Sequence, residues 1–175
     1  MTSLTIRDAT EADRPAVVAI YNQAIPAGRA TADTRPVTVA DRLPWFEAFD
    51  PARRPLLVGT VGGEVVGWAC LTSFYAGRPA YAATAEVSLY VATAFQGRGV
   101  GERLKRHLIA ACPRLGVTTL LSYHFDHNRA TIALNAKLGF VPAGHLPNIA
   151  VVHGEPRGVV ISMLRVPPPA PELPP

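Results

Sequence analysis

Gly97, Gly99 and Gly101, spaced two apart in Gln96-Gly97-Arg98-Gly99-Val100-Gly101, are the residues of this 175-residue chain whose type and spacing point most directly to chemistry. They follow a strand-like run and lead into an amphipathic stripe, Val100, Leu104, Leu108 and Ala111, that reads as a helix. Such a loop gathers backbone N–H groups and the positive end of a helix at one point, which binds phosphate oxygens. Glycine is needed where a Cβ would hold the backbone away from a diphosphate or where a turn requires positive φ. The order is neither the GxGxxG of a dinucleotide fold nor the GK[ST] ending of a P-loop, which disfavours NAD and nucleoside triphosphates. In the preceding run, Ala85, Val87, Leu89 and Val91 share one face and Glu86, Ser88 and Tyr90 the other, so a carboxylate stands on a sheet face just before an anion-binding loop.

The surrounding pattern supplies the elements that hold these residues. Leu4 to Arg7 alternates as a short strand, and Thr10 with Asp13 is a capping-box variant opening a helix with Val17, Tyr21 and Ala24 on one face. Thr38 and Asp41 repeat that signal before Leu43, Phe46 and Phe49, with Pro44 shortening or kinking the helix. Leu56–Val61 and Glu64–Phe74 flank Gly62-Gly63 as a hairpin. Val117–Tyr123 reads as the strand after the glycine-loop helix, Asn128 opens a helix that stops at Gly139, and Phe140–Leu146 and Gly158–Val166 read as strands. The expected fold is α/β: a mixed, mostly antiparallel sheet of about seven strands with helices on both faces. Residues 1–166 form one expected domain, and the proline-rich stretch 167–175 an extended, disordered tail.

Bulk properties exclude several classes. The chain is 49% hydrophobic and 17% charged without a run of twenty apolar positions, which excludes disordered and membrane-spanning readings. No signal peptide is evident, so the expected compartment is the cytoplasm, and Cys70 and Cys112 read as buried thiols. The net charge of +4 is modest; Arg98, Arg103, Lys105, Arg106 and His107 crowd near the glycine loop as an anion-seeking cluster, but no nucleic-acid motif accompanies them. His124, Asp126 and His127 invite a metal reading that consecutive loop positions disfavour, and a serine hydrolase elbow is absent.

The sequence resembles the GNAT superfamily of acetyltransferases. Its acetyl-CoA loop pattern, Q/R-x-x-G-x-G/A, is matched by Gln96, Gly99 and Gly101, and NRATIALNAKLGF resembles its asparagine-initiated helix ending in LGF. The resemblance implies that acetyl-CoA is the cosubstrate, with no metal. It places Leu89, Tyr90, Val91, Gln96, Gly97, Arg98, Gly99, Val100, Gly101, Asn128 and Lys137 on the CoA side. Backbone N–H groups near Val91 would polarise the thioester carbonyl, one of them freed by a β-bulge near Leu89 or Tyr90.

A narrower resemblance, carried by Arg78-Pro-Ala-Tyr81, Glu86-Val-Ser-Leu-Tyr90-Val91 and His153-Gly154, is to the phosphinothricin-type N-acetyltransferases. It implies Glu86 as general base, and Arg78, Tyr81, Ser88 and His153 lining a pocket for a small-molecule amine, in a homodimer. An amine must be neutral to attack a thioester, and a planar guanidinium suits an acceptor carboxylate, so both roles are chemically sensible. Three positions depart from the pattern: Asn135 stands where a tyrosine or histidine would meet the leaving thiolate, Ala32 where an aromatic covers the acceptor, and Gly158 where an aspartate follows the HG motif. A free thiol ionises at about 8.5, so two routes stay open: CoA leaves as a thiolate stabilised by hydrogen bonds, with slower turnover, or Tyr90 or Tyr123 substitutes for the missing acid. Two further readings stay open: acetylation of proteins or peptides, and a non-catalytic acetyl-CoA-binding regulatory module.

Overall fold

The computed structural model describes residues 3–167, so the proline-rich stretch beyond Pro167 lies outside the described residues. In chain order the elements are β1 (Thr5–Asp8), α1 (Arg14–Asn22), α2 (Leu43–Glu47), β2 (Leu56–Val61), β3 (Glu64–Ser73), β4 (Thr84–Val91), α3 (Val100–Ala111), β5 (Thr119–Phe125), α4 (Arg129–Lys137), β6 (Val141–Val152) and β7 (Glu155–Arg165). The seven strands form one sheet in the order β1-β2-β3-β4-β5-β7-β6. Only β4 and β5 run parallel, joined by the crossover helix α3 as parallel neighbours require. This is the expected α/β class.

Alternation along the strands divides the apolar side chains between two cores. Ala85 and Val87 of β4 join Ala69 and Leu71 of β3 under Leu104 and Leu108 of α3. On the opposite face Trp68 and Cys70 of β3 pack against Val17, Val18 and Ile20 of α1 and Phe46 of α2. Both cysteines are free and buried. The β2–β3 hairpin turns on Gly62 and Gly63, at φ +61° and +87°, the pair of positive angles a two-residue turn demands.

The cap at Thr10 and Asp13 forms, but it opens a 3-10 turn, Glu11–Asp13, that runs on into α1. The helix ends at Asn22, which leaves Ala24 beyond it. Asp13 also does more than the sequence pattern indicated: its carboxylate accepts from the Arg7 guanidinium at 2.7 and 2.9 Å as well as from the Thr10 N–H at 2.7 Å. These bonds, Arg7 first, outweigh burial and hold its pKa at about 2. Because that lies below the unfolded value, the stabilisation is complete above roughly pH 4 and is lost as pH falls through about 2. Asp13→Asn is expected to lower stability by about 1–2 kcal/mol at pH 7, Arg7 being partly solvated, and by a much smaller amount near pH 2. Urea unfolding across that range checks this; equal losses at both ends would refute it.

Two elements differ from expectation. The Thr38–Asp41 bonds form, yet α2 begins only at Leu43 and holds five residues, with Pro44 in its first turn where no N–H is missed. The last two strands make a far longer hairpin than their alternating cores implied. Pro142 and Pro147 are tolerated because β6 is an edge strand, and its register shifts at 142/144 and 146/150.

Candidate active site

β4 and β5 pair only over Thr84–Glu86 and Thr119–Leu121. Beyond Glu86 the strands part, while β4 keeps an unbroken register with β3 as far as Val91. The expected bulge near Leu89 or Tyr90 is therefore absent: divergence of the parallel pair frees the backbone instead. Ala92 N–H donates to Val66 O at 2.9 Å, and the antiparallel alternation then turns the N–H groups of Leu89 and Val91 to the open side. The side-chain amide of Gln96 donates to Val91 O at 3.1 Å and ties the glycine loop to that edge. Val87, Ser88 and Leu89 line one wall of the opening, and Ser122 and His124 the other, with Lys105, Asn128 and Leu134 contributed by the helices.

The three glycines have two tasks. Gly97 and Gly99, at φ +72° and +79°, lie where an added Cβ would meet nothing within 4 Å, so they border open space; Gly99 is also the N-cap of α3, which starts at Val100. At Gly101 a Cβ would come within 3.2 Å of Leu89, so its lack of a side chain lets α3 lie close on β4. Asn128 caps α4 by accepting the Thr131 N–H at 3.1 Å and lines the opening. Lys137 donates to Glu102 in the first turn of α3 at 2.6 Å.

The basic cluster near the loop does not assemble. Arg98, ahead of α3, lies over the Phe95 ring, and helical rotation spreads the others: Arg103 donates to Leu4 O, Arg106 pairs with Glu102, and Lys105 turns inward, 2% exposed. Lys105 donates to Asn135 Oδ1 and to Ser122 Oγ at 3.4 Å, and burial pulls its pKa down to about 8. This polar knot was not foreseen. Its signal in the sequence was a lysine beside Leu104, at the edge of the apolar stripe.

On the opposite face of β4, Glu86 is half-buried and burial raises its pKa. Arg78 and Tyr81 occupy the exposed segment between β3 and β4, both against Tyr75, with centroid distances of 5.0 and 5.8 Å. His153, at the tip of the β6–β7 hairpin with φ +52°, donates to Ile25 O at 3.0 Å, so its ring holds the turn after α1. Arg78 and Tyr81 are thus brought together, Ser88 faces the opening, and His153 ties the hairpin tip to the turn after α1. Tyr90 does not take the place of the missing acid: its hydroxyl donates to Ala30 O at 2.9 Å and its ring stacks on Trp68, on the face away from Asn135. Tyr123 is 41% exposed on the Glu86 side. A second cavity of about 160 Å³, also unforeseen, lies between Tyr21, Arg42, Trp45, Trp68, Ser88 and Tyr90.

Ala32 is exposed in the segment between α1 and α2. A Cβ at Gly158 would collide with Asp126 and His145, so the room an aspartate there would need is taken by Asp126. His124 turns inward to Ser162 while Asp126 faces His127 and His145; among the described residues no three His, Cys, Asp or Glu side chains gather as a metal site.

A mixed sheet that parts between its two parallel strands, beside a glycine loop at a helix start, is the arrangement of an acetyltransferase. The chain matches the Acetyltransferase (GNAT) family over residues 16–140 and belongs to it. YwnH of Bacillus subtilis, a provisionally named phosphinothricin acetyltransferase, is 41% identical over 152 residues, covering 87% of this chain and 93% of its own. An L-methionine sulfoximine/L-methionine sulfone acetyltransferase of Pseudomonas paraeruginosa is 35% identical over 155 residues, covering 87% and 88%. Among solved structures, a GNAT superfamily phosphinothricin acetyltransferase from Sinorhizobium meliloti in complex with acetyl-CoA superposes with a TM-score of 0.88 at 28% identity, covering 95% of this chain and 89% of that one.

Proposed function

We propose that this enzyme moves an acetyl group from acetyl-CoA to the primary amine of a small amino-acid-like acceptor, of the phosphinothricin or methionine sulfoximine and sulfone kind, by direct attack. The observation that carries the reading is Glu86: a half-buried carboxylate, its proton affinity raised by burial, on the last β4 residue before the strands part. Acetyl-CoA fits the residues present. Open space above Gly97 and Gly99 at the start of α3 suits a diphosphate, and the outward N–H groups of Leu89 and Val91 suit the acyl arm. When bound, it supplies an acetyl group activated as a thioester.

Around it, the protein's residues divide the work. Glu86 accepts the amine proton, directly or through a water. The N–H of Leu89 or Val91 donates to the carbonyl oxygen as charge builds there. Asn128 and Lys137 border the CoA side, Lys137 on exchanging Glu102 for the ligand. Arg78 offers the acceptor's carboxylate a planar fork, with Tyr81 beside it, Ser88 at the opening and His153 fixing the adjacent turn. The cavity of about 160 Å³ under Trp45 and Trp68, bordered by Ser88, has room for one amino-acid side chain, which supports an amino-acid-like acceptor.

A second copy of the chain belongs to this reading, supported by Ile149 and Val151 on edge strand β6, 58% and 67% exposed. The cytoplasm is the compartment, consistent with two unpaired thiols. CoA release is measured against phosphinothricin, methionine sulfoximine, methionine sulfone, ordinary amino acids and a peptide panel. Turnover with free amino acids or their analogues is expected. Turnover with peptides alone would establish a protein N-acetyltransferase, and acetyl-CoA binding without turnover a regulatory module.

A further inference from the structure

A buried ammonium with no carboxylate beside it is costly to keep, and among the described residues Lys105 is such a group. It is 2% exposed, its Nζ donates to Asn135 Oδ1 and Ser122 Oγ, and it lies 4.5 Å from the centroid of the Phe140 ring. None of these partners carries negative charge. Nor does His124 supply one: an Nδ1–H donating to Phe125 O and an Nε2 accepting from the Ser162 hydroxyl satisfy a neutral ring, and burial lowers its pKa. The pocket retains one uncompensated positive charge at the wall of the opening between β4 and β5.

The hydrogen-bond count at Ser122 gives that charge a direction. Its oxygen accepts from Asn135 Nδ2 at 3.1 Å and from Lys105 Nζ at 3.4 Å, which occupies both lone pairs. The hydroxyl hydrogen is left to donate, and Ser122 borders the opening. The strand register sets the side: Ser122 shares the face of Leu120 and Ala85, whereas Glu86 pairs with Leu121 on the other face. Base and donor therefore flank the opening from opposite sides.

We propose that Lys105, acting through the Ser122 hydroxyl, stabilises the negative charge that develops on the CoA sulfur during transfer, with Asn135 as the bracket that holds both. The inference rests on the acetyl-CoA reading above. In the step it serves, the amine nitrogen bonds to the carbonyl carbon, the C–S bond breaks with its electron pair moving to sulfur, and the amine proton passes to Glu86. Ser122 donates a hydrogen bond to the sulfur, Lys105 stays protonated, and the sulfur takes its proton from solvent on release. Lys105 is thus a positioning and electrostatic residue. A pKa held near 8 by burial leaves it charged at neutral pH with a readily polarised proton.

The test reads the thiol directly. The ultraviolet absorbance of the CoA thiolate is titrated with pH in the enzyme complex, with the desulfo-CoA complex as a blank that cancels the tyrosines. Glu86, Tyr90 and Tyr123 face the opening from the other side and His124 from β5, so Glu86→Gln is titrated in parallel. In the wild type the bound thiol is expected to ionise about one unit below the roughly 8.5 of a free thiol. Lys105→Met should return it to that value or above; the variant loses a buried charge but also leaves Asn135 Oδ1 without its donor, so its unfolding midpoint is measured alongside. Ser122→Ala should give a smaller rise, and decides the matter alone if the lysine variant does not fold. Desulfo-CoA should bind all variants equally, and kcat should fall more than KM changes. Identical thiol titrations in wild type and Lys105→Met, or a parallel loss of desulfo-CoA affinity, would overturn the proposal. A wild type that binds no CoA would instead overturn the acetyl-CoA reading.

Discussion

Glu86→Gln is expected to cut turnover by about 10²–10⁴ while leaving acetyl-CoA affinity nearly unchanged. Glutamine keeps the size and shape of the side chain, and among the described residues Glu86 makes no hydrogen bond or ion pair that the amide would break, so the loss falls on proton transfer. The pH dependence carries the sign. The carboxylate is the working form and burial raises its pKa, so wild-type kcat/KM should fall with decreasing pH through a value above the roughly 4.3 of an ordinary glutamate. The variant should lose that limb. At high pH the acceptor amine loses its proton to solvent unaided, and the two profiles should converge. A variant with wild-type turnover at neutral pH would remove Glu86 from the mechanism.

Gly99→Val is the second large effect, and it falls on binding. At φ +79° and ψ 0° a β-branched residue is strained by about 1–3 kcal/mol. The chain has two ways to accommodate it. Either the loop relaxes, turning its N–H groups away from their common point, or the side chain stands in the open space above the helix terminus. Both weaken diphosphate binding, so the Kd for acetyl-CoA should rise tenfold or more, a change of about 1.4 kcal/mol. Gly101→Ala provides the contrast. Its Cβ would press on Leu89 at 3.2 Å, so its cost should appear in the unfolding midpoint as well as in affinity. Calorimetric binding with parallel unfolding separates the two; a folded Gly99→Val with unaltered Kd would show that the loop is not the diphosphate cradle.

The sheet was legible because period-two alternation reports which face is buried, and β4 displays it from Ala85 to Val91. The β2–β3 turn and the start of α4 were legible because Gly62-Gly63 and Asn128 are fixed by local backbone requirements. The β6–β7 hairpin was truncated because prolines within an edge strand look like breakers to a local pattern, and only the exposed edge makes them harmless. Lys105 was misplaced for a related reason. Its charge suggested solvent, and nothing near it in sequence announces Ser122 and Asn135, 17 and 30 residues away, as the partners that let it turn inward. The same holds for Tyr90, whose tether to Ala30 spans 60 residues.

By itself, then, the sequence determined the local elements of this protein: a glycine loop, a helix start and an alternating strand are set by backbone angles and side-chain period over a few residues. The tertiary structure decided what surrounds the reaction. The opening exists because β4 and β5 diverge after Glu86. Lys105, Ser122 and Asn135 meet only because α3, β5 and α4 pack there. The ring of His153 and the hydroxyl of Tyr90 are tied to the segment after α1 by contacts that only the packing sets. Such pairings depend on how layers stack, and a linear pattern carries no record of the distance between residues it does not place side by side.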